Sequence, residues 1–188
     1  VCKAASERND IPVIPVKSEG FKGTKSDGYK AACEALKVLI GTKEGDIKSP
    51  YRINLIGEFN VAGDVWLVKP LFEEMGIQVV TSLTGDSTAQ SISQCHTAQL
   101  NLVQCTGSMT TLAKWMKEEY GIPFKKISYF GIEDLSITLR ETAAFFGSEE
   151  MKQKAEEIIA RETASIMPEI RRIRSRLEGK RAAIYMGG

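Results

Sequence analysis

The sequence predicts a three-layer α/β fold in which a parallel sheet is flanked by helices on both faces. Short runs rich in β-branched and apolar residues alternate with amphipathic stretches, an order typical of βαβ units. The clearest strand candidates, RINLIGEF (52–59) and IQVVTSLT (77–84), are each followed by a glycine-containing turn and then a helical pattern. In such folds a ligand lies beyond the carboxyl ends of the strands, so a site is expected there.

Local signals place the elements in chain order. The first ten residues look helical, and IPVIPV (11–16) is β-branched, with prolines that suit an edge strand or an entering strand. A glycine- and lysine-rich loop then leads to a helix over about 29–40. The helix after the first central strand starts near Asp64, a plausible N-cap.

The second half of the chain continues the same alternation of strands and helices. The predicted elements are a short helix through Ile92, a strand QLNLVQC (99–105), a helix over about 108–120, a strand-like run KKISYF (125–130), a helix over 132–147, a long helix from 149 in which Pro168 is a first-turn proline or a kink, and a last strand AAIYMGG (182–188).

Composition argues against several classes of function. The net charge is +1, from 25 basic and 24 acidic residues, which argues against a nucleic-acid surface. No segment approaches the ~20 apolar residues that a membrane-spanning helix needs, and no secretion signal is visible. The four cysteines are widely spaced without a CxxC pair, so a cytoplasmic location is expected. Because the chain opens without methionine and ends in Gly-Gly, we interpret it as a fragment of a longer protein.

Cys105 is the first candidate for chemistry because it follows the apolar run LNLV at a predicted strand end. The ends 58–63, 84–87 and 104–108 are small, polar or contain glycine, as an open ligand crevice requires. A thiolate there is a soft metal ligand or a nucleophile. The single histidine, His96, is nine residues back, and a strand rise of ~3.3 Å per residue makes it too distant to act as the base. A metal ligand and a small buried residue remain the alternatives.

Other patterns have weaker functional interpretations. GFKGTKSDGYK (20–30) could bind an anion through its lysines and backbone, although a solvated loop is the commoner outcome. GEFNVAGD (57–64) lacks the glycine spacing of a dinucleotide-binding or phosphate-binding loop and predicts a tight turn.

The adjacent residues Cys95 and His96 would point in opposite directions on an extended chain, so they are interpreted as a chance pair at the surface rather than as ligands of one metal ion. The long helix has an apolar face, typical of packing on a sheet or a partner, at Ile158, Ile159, Ile166, Ile170, Ile173 and Leu177.

Several motifs together resemble a known family in order and spacing: INLIGEFNVAGDVW, LTGD, LNLVQCTGSM, KEEYGIPF and RLEGKRAAIYMGG are similar to the nitrogenase component 1 superfamily. The resemblance covers almost all of the chain and implies the Rossmann-like middle domain of that family. It is closest to the α-type chains, which comprise the catalytic nitrogenase α subunit and the assembly homologue NifE. In this family the cysteine of LNLVxC binds the terminal iron of the large iron–sulfur cofactor. The matching residue here is Cys105.

Departures from the catalytic α chains favour the assembly type. Tyr29 stands where a histidine supports substrate reduction, and Lys25, allowing a one-residue gap, stands where a glutamine approaches homocitrate. Gln104 and Gly107 replace the histidine and arginine that flank the cluster cysteine. The resemblance therefore implies no catalytic residue. The cofactor-binding residues that it implies are Cys105 as the metal ligand, Lys25, Tyr29 and Gln104, with positive charge also from Lys17, Lys22 and Lys30.

The resemblance implies a scaffold that holds an iron–sulfur precursor of the iron–molybdenum cofactor while it matures. Its expected partners are a NifN-type β subunit in a heterotetramer, the nitrogenase Fe protein and a donor of the precursor cluster. The fragment alone is not required to bind a cluster, because the pocket needs walls from neighbouring domains. Cys2, Cys33 and Cys95 match no cluster position and are interpreted as structural.

The resemblance also implies a division into domains. The expected parts are an edge of a preceding domain with the entering strand (1–16), a Rossmann-like middle domain (17–147), and a linking helix with the first strand of a following domain (148–188).

Three alternatives remain open. The first is the α subunit of a nitrogenase, an N₂-reducing enzyme, with a divergent pocket in which Tyr29 and Gly107 are tolerated. The second is a nitrogenase-like reductase of tetrapyrrole synthesis, which would not be expected to keep the cysteine motif. The third is a metal-free interaction domain, which follows if Cys105 is buried and inert.

Overall fold

A four-stranded parallel sheet forms the centre of the computed structural model, which describes residues 2–9, 11, 13–16, 20, 22–104, 107 and 109–185. The strands are β1 (Tyr51–Glu58), β2 (Ile77–Thr84), β3 (Leu100–Val103) and β4 (Phe124–Lys126). The helices are α1 (Cys2–Asn9), α2 (Lys25–Lys37), α3 (Asp64–Glu74), α4 (Ala89–Gln94), α5 (Thr110–Tyr120), α6 (Ile132–Phe146) and α7 (Glu149–Leu177), with a 3₁₀ turn at Cys95–Thr97.

The strand order is β2-β1-β3-β4, and every pairing is parallel. The chain runs from β1 outward to β2, then passes back across β1 to reach β3. Ile53 is paired with Leu100 and Ile56 with Val103 in the β1–β3 ladder. The winding therefore reverses between β1 and β3, and a reversal of this kind opens a crevice at the carboxyl ends of the two strands.

Two apolar layers cover the sheet, which confirms the predicted three-layer α/β fold. Ile53 and Leu55 of β1 belong to the core that packs with α3, α6 and α7. Ile56 belongs to the opposite core, which packs with α2, α4 and α5. Asn54 lies on the same face as Ile56 and is fully buried, but its amide donates to Asn101 Oδ1 at 2.7 Å and to the Cys95 carbonyl at 2.8 Å. These bonds offset much of the desolvation cost of a buried amide.

Most predicted elements are confirmed, with shifted ends. Helix α2 begins four residues earlier than predicted because Thr24 and Asp27 form a capping box. Asp64 is the first residue of α3, and the N-cap is Gly63, whose φ of 83° suits a residue without a side chain. Helix α7 continues through Pro168 for its full 29 residues, so this proline lies in the helix interior rather than in a first turn.

Four strand predictions are wrong in part or in full. The described residues of 11–16 are not in a strand, because the two prolines of IPVIPV remove the backbone donors that a ladder needs. The run 125–130 contributes only its first two residues to β4, and 99–105 contributes only 100–103 to β3. Residues 182–185 of the predicted strand 182–188 are irregular, and 186–188 lie outside the described residues. Ile184 and Tyr185 are 84% and 94% exposed and pair with no described strand.

Helix α7 joins the core through its first turns, where Met151, Ala155 and Ile158 are buried with α3, α6 and the sheet.

The domain limits 1–16, 17–147 and 148–188 stay predictions. No helix in the described part of the chain is long and apolar enough to span a bilayer.

Candidate functional site at the carboxyl ends of the strands

The structure places the described parts of the three predicted strand ends side by side. Glu58 at the end of β1 is paired with Thr84 at the end of β2. The Gly85 N–H donates to the Glu58 carbonyl at 2.8 Å, and the Gln104 N–H donates to the Ile56 carbonyl at 2.8 Å. The ends of β1, β2 and β3 thus form one polar edge, as the order of elements predicted.

The turn after β1 is tightly built. Asn60 has a φ of 51°, and its N–H donates to Glu58 Oε1 at 2.6 Å, although the Glu58 side chain is buried. The Val65 N–H donates to Asn60 Oδ1 at 3.2 Å, which satisfies one donor at the start of α3. A Cβ at Gly85 would lie 2.5 Å from the Phe59 carbonyl carbon. The predicted tight turn is confirmed, and it forms one fixed wall of the crevice.

Helix α2 brings two predicted site residues to this turn. The Tyr29 ring lies 5.9 Å from the Phe59 ring, centroid to centroid, with an interplanar angle of 35°. Lys25 Nζ lies 5.7 Å from the Tyr29 centroid, within cation–π range. We call Lys25, Tyr29 and Phe59 the aromatic column. It joins the first turn of α2 to the residue that directly follows β1.

The start of α2 is fixed by its own polar groups. Asp27 Oδ2 accepts from the Thr24 N–H at 2.8 Å and from the Thr24 hydroxyl at 2.9 Å. These hydrogen bonds, the backbone one foremost, lower the pKa of Asp27. Lys30 Nζ lies 3.5 Å from Asp27 Oδ1. Of the predicted cations on α2, Lys30 is thus paired with a carboxylate, whereas Lys25 lies over the Tyr29 ring.

A sulfur contact connects α2 to the segment that follows β3. Cys33 Sγ lies 3.7 Å from Met109 Sδ, and both side chains are buried. Burial raises the pKa of the Cys33 thiol, so this cysteine is a packing group, as interpreted from the sequence. Met109 is the N-cap residue of α5. Helices α2 and α5 are therefore held together just beyond the end of β3.

Gln104 follows β3 directly and is half-buried. Its Oε1 is buried and accepts no hydrogen bond in the described part of the chain. Such an atom favours an additional donor nearby. Cys105, and also Lys17, lie outside the described residues, so the ligand role of Cys105 stays a prediction. Gly107 is described, and a Cβ there would meet nothing within 4 Å.

The other potential ligands lie away from this edge. Cys95 and His96 are in the 3₁₀ turn before β3, at the amino end of the sheet. Cys95 is fully buried, so its interpretation as a surface residue is wrong; burial raises its pKa to about 12. The His96 ring packs 5.6 Å from the Tyr120 ring. Among the described residues no group of three or more His, Cys, Asp or Glu side chains could hold a metal ion.

Sequence reasoning missed Phe59 and Met109 as residues of this site. Phe59 carried one usable signal, since it is an aromatic residue directly after a strand end at the predicted crevice. Met109 carried none, because its contact with Cys33 spans 76 residues of sequence.

Comparison with known proteins gives one family. The family described as nitrogenase component 1 type oxidoreductase matches residues 1–188. The protein named nitrogenase iron-molybdenum cofactor biosynthesis protein NifE of Methanosarcina barkeri is 60% identical over all of this chain and 43% of its own length. The protein of the same name from Clostridium pasteurianum is 48% identical, over 41% of its length. The chain therefore spans about two fifths of the length of these relatives.

A catalytic-type relative and solved structures also match. The nitrogenase molybdenum-iron protein alpha chain of Methanosarcina barkeri is 42% identical over the whole chain and 36% of its own length. The structure described as nitrogenase Cp1 at pH 5 superposes with a TM-score of 0.89 and 35% identity, covering 95% of this chain and 36% of that one. The structure at pH 6.5 gives the same TM-score and identity.

Proposed function

Because this chain belongs to the nitrogenase component 1 type oxidoreductase family, we propose that it is part of a scaffold for assembly of the iron–molybdenum cofactor. Its cargo is an iron–sulfur precursor cluster, held at the carboxyl ends of β1 and β3 while the cluster matures. Cys105 supplies the thiolate that binds a terminal iron, since thiolates are the usual protein ligands of iron–sulfur clusters.

One observation carries this proposal: the Tyr29 ring, with Lys25 over it, packs against Phe59 directly after β1, and in the sequence Cys105 comes two residues after the end of the neighbouring strand, β3. Lys25 therefore supplies positive charge at the edge where the thiolate is expected. Cluster sulfides and the carboxylates of homocitrate are anionic, so a lysine at this edge attracts either of them.

The other site residues have supporting roles in the proposal. Tyr29 holds the Lys25 ammonium through its ring and forms an apolar wall with Phe59. The Gln104 amide is positioned to exchange hydrogen bonds with the cargo, because its Oε1 has no partner in the described part of the chain. A NifN-type β subunit, the nitrogenase Fe protein and a cluster donor are the proposed partners.

A nitrogenase α subunit is the second candidate, favoured by 42% identity to an alpha chain. The same organism offers a direct comparison, since its NifE protein is 60% identical to this chain. The difference of 18 percentage points favours the assembly role. The Tyr29 and Gln104 substitutions favour it as well, because each replaces a histidine of the catalytic type.

The decisive experiment is loading of the protein with and without the proposed ligand. The protein is co-expressed with a NifN-type subunit and a source of precursor cluster, then purified without oxygen. Iron is measured per chain, and the cluster is characterised by electron paramagnetic resonance. Cys105→Ala is expected to lose the cofactor-type signal and its iron. Cys2→Ala is the matched control, because Cys2 lies on α1 and is half-buried.

Equal iron and an unchanged cluster signal in Cys105→Ala would refute the proposal. Loss of the signal in both cysteine variants would also count against it, because the effect would then not be specific to the crevice. N₂ reduction by the purified complex would favour the α-subunit candidate.

A further inference from the structure

Glu58, the last residue of β1, has an acidic side chain that lies inside the fold and is only 5% exposed. One oxygen of its carboxylate, Oε1, accepts from the Asn60 N–H at 2.6 Å. Burial of an acidic group is costly unless the group is hydrogen-bonded, so this bond stabilises the side chain where it lies. Glu58 is therefore fixed at the carboxyl edge of the sheet, and none of the roles proposed for the cluster site uses it.

The contacts of Glu58 restrain the backbone on both sides of Phe59. Before Phe59, the Glu58 carbonyl accepts from the Gly85 N–H at 2.8 Å, which ties the end of β1 to the turn after β2. After Phe59, the Glu58 side chain holds the Asn60 N–H. Gly85 packs against the peptide between these two bonds, since a Cβ there would lie 2.5 Å from the Phe59 carbonyl carbon and 2.6 Å from the Asn60 nitrogen. The Phe59–Asn60 peptide is thus held from two directions.

The bond from Asn60 supports an uncommon backbone conformation. Asn60 has a φ of 51°, in the left-handed region that residues with a side chain adopt at a cost in free energy. Its Oδ1 accepts from the Val65 N–H at 3.2 Å, which restrains the residue from the start of α3. Without an acceptor on Glu58, the Asn60 N–H would lose its partner. The turn would then be expected to relax toward a more common conformation and to move Phe59 with it.

Phe59 transmits this restraint to the aromatic column. Its ring lies 5.9 Å from the Tyr29 ring, and Lys25 Nζ lies 5.7 Å from the Tyr29 centroid. Aromatic pairs interact at centroid separations of about 4.5–7 Å, so a small displacement of Phe59 is enough to end the contact. Tyr29 and Lys25 would then be free to adopt other rotamers, and the charge at this edge would no longer be fixed in place.

We propose that Glu58 is a positioning residue for the cluster site. Its side-chain oxygen, through the Asn60 N–H, holds Phe59 against Tyr29 and thereby keeps Lys25 in place at the carboxyl edge. This role rests on the proposed function, because Lys25 attracts an anionic cargo there. Glu58 acts as a hydrogen-bond acceptor rather than as a charge, so an amide oxygen in the same position serves as well.

The first measurement needs no cluster. In the 188-residue chain, labelled selectively at phenylalanine and tyrosine, a nuclear Overhauser effect between the Tyr29 and Phe59 rings reports their contact. Glu58→Met, which has a similar length but no strong acceptor, is expected to lose this effect. Glu58→Gln is the matched variant, because its amide oxygen can still accept from the Asn60 N–H, and it is expected to keep the effect.

The second measurement is the affinity for cargo. The protein co-expressed with a NifN-type subunit is titrated with the purified iron–sulfur precursor cluster. Glu58→Met is expected to lower the apparent affinity by up to about fivefold, since its effect passes through Lys25 and cannot exceed the loss of one exposed charge pair. Added to Lys25→Ala, it is expected to lower the affinity no further, whereas independent roles would multiply. Arg52→Ala controls for a general loss of stability and is expected to leave the affinity unchanged.

Each alternative gives a different result. A ring contact that survives in Glu58→Met, or losses that multiply in the double variant, would overturn the positioning role. Loss of affinity in Glu58→Gln would assign the effect to charge and would also overturn it, which keeps the test decisive if Glu58→Met fails to fold. A parent complex that takes up no cluster would refute the proposed function and this role with it. A loaded parent whose affinity is unaltered by Glu58→Met would overturn this role alone.

Discussion

The two edges of the sheet are built in opposite ways. At the amino edge, side chains of the protein satisfy the backbone groups of neighbouring segments. Arg52 donates to the carbonyl of Thr97 at 2.8 Å, and its own N–H donates to Gln99 Oε1 at 3.0 Å. Gln78 accepts from the Lys48 N–H at 2.8 Å and donates to the Asp46 carbonyl at 2.7 Å. Most polar groups at this edge are thus paired within the chain, although His96 Nδ1 is buried there without a partner among the described residues.

The carboxyl edge leaves polar groups available. Its turns are rigid, but Lys25 is exposed above Tyr29, and Gln104 Oε1 has no partner in the described part of the chain. The contrast separates two tasks within one sheet. The amino edge contributes to the stability of the fold, and the carboxyl edge keeps the charge and hydrogen-bonding capacity that a ligand requires. Substitutions at each edge test whether stability and cluster loading separate in this way.

The largest effect on stability is expected from Gly85→Ala. The new Cβ would lie 2.5 Å from the backbone of Phe59, which cannot move without opening the turn after β1. Overpacking of this kind costs about 1–3 kcal/mol. Urea denaturation measures the loss. Gly107→Ala is the matched control, because its Cβ meets nothing within 4 Å; a similar loss in both variants would contradict the argument.

The next effect is expected at the amino edge, from Arg52→Ala. The change leaves the carbonyls of Thr97 and Ser49 without their guanidinium donors, at a cost of about 2 kcal/mol. Cluster loading per folded chain is expected to stay unchanged. Urea denaturation and iron analysis measure the two quantities separately. The control is Lys48→Ala, which removes an exposed ion pair and is expected to cost less than about 0.5 kcal/mol. Reduced loading in Arg52→Ala would end the separation of the two edges.

The reverse pattern is expected from Lys25→Ala. Stability should change little, because the ammonium is exposed. The apparent affinity for the precursor cluster should fall by up to about fivefold, since an exposed ion pair contributes at most about 1 kcal/mol. Titration of the purified protein with cluster at low and high salt measures this, and the difference from the parent should shrink in high salt. Lys43→Ala is the control; unaltered loading in Lys25→Ala would remove the assignment.

Much of the fold could be predicted because its signals are local. Both central strands are β-branched apolar runs, and their observed limits differ from the predicted ones by at most one residue. The strand predictions at 11–16 and 182–185 failed because a strand also needs a neighbour, and pairing is not written in the segment itself. The start of α2 was missed because its capping residues, Thr24 and Asp27, lie within a loop-like run of glycine and lysine.

The candidate site was less accessible to sequence reasoning. Order and composition alone located the edge, because strand ends in an α/β fold meet there. They did not pair Tyr29 with Phe59, since these rings come from elements 30 residues apart. Tyr29 and Lys25 were singled out only through the resemblance to the nitrogenase component 1 family. Long-range contacts of this kind depend on tertiary packing rather than on periodicity.

The smallest effect concerns pH and distinguishes the edges by their titration. Hydrogen bonds from Thr24 lower the pKa of Asp27 below its ordinary value of 3.8. A carboxyl with a lowered pKa in the folded state contributes stability above its unfolded pKa, and this contribution is lost as pH falls through the folded pKa. Asp27→Asn should therefore be less stable than the parent at pH 7, and the difference should vanish at acid pH.

The amino edge gives the control for this experiment. The side-chain hydrogen bonds of Arg52, Gln78 and Gln99 at this edge include no carboxylate. The stability difference between the parent and Arg52→Ala should therefore persist from pH 7 to acid pH, while the Asp27→Asn difference disappears. Urea denaturation at both pH values measures the two differences. A pH-independent Asp27→Asn difference would show that the Asp27 side chain stabilises the start of α2 through its shape rather than through the charge of its carboxylate.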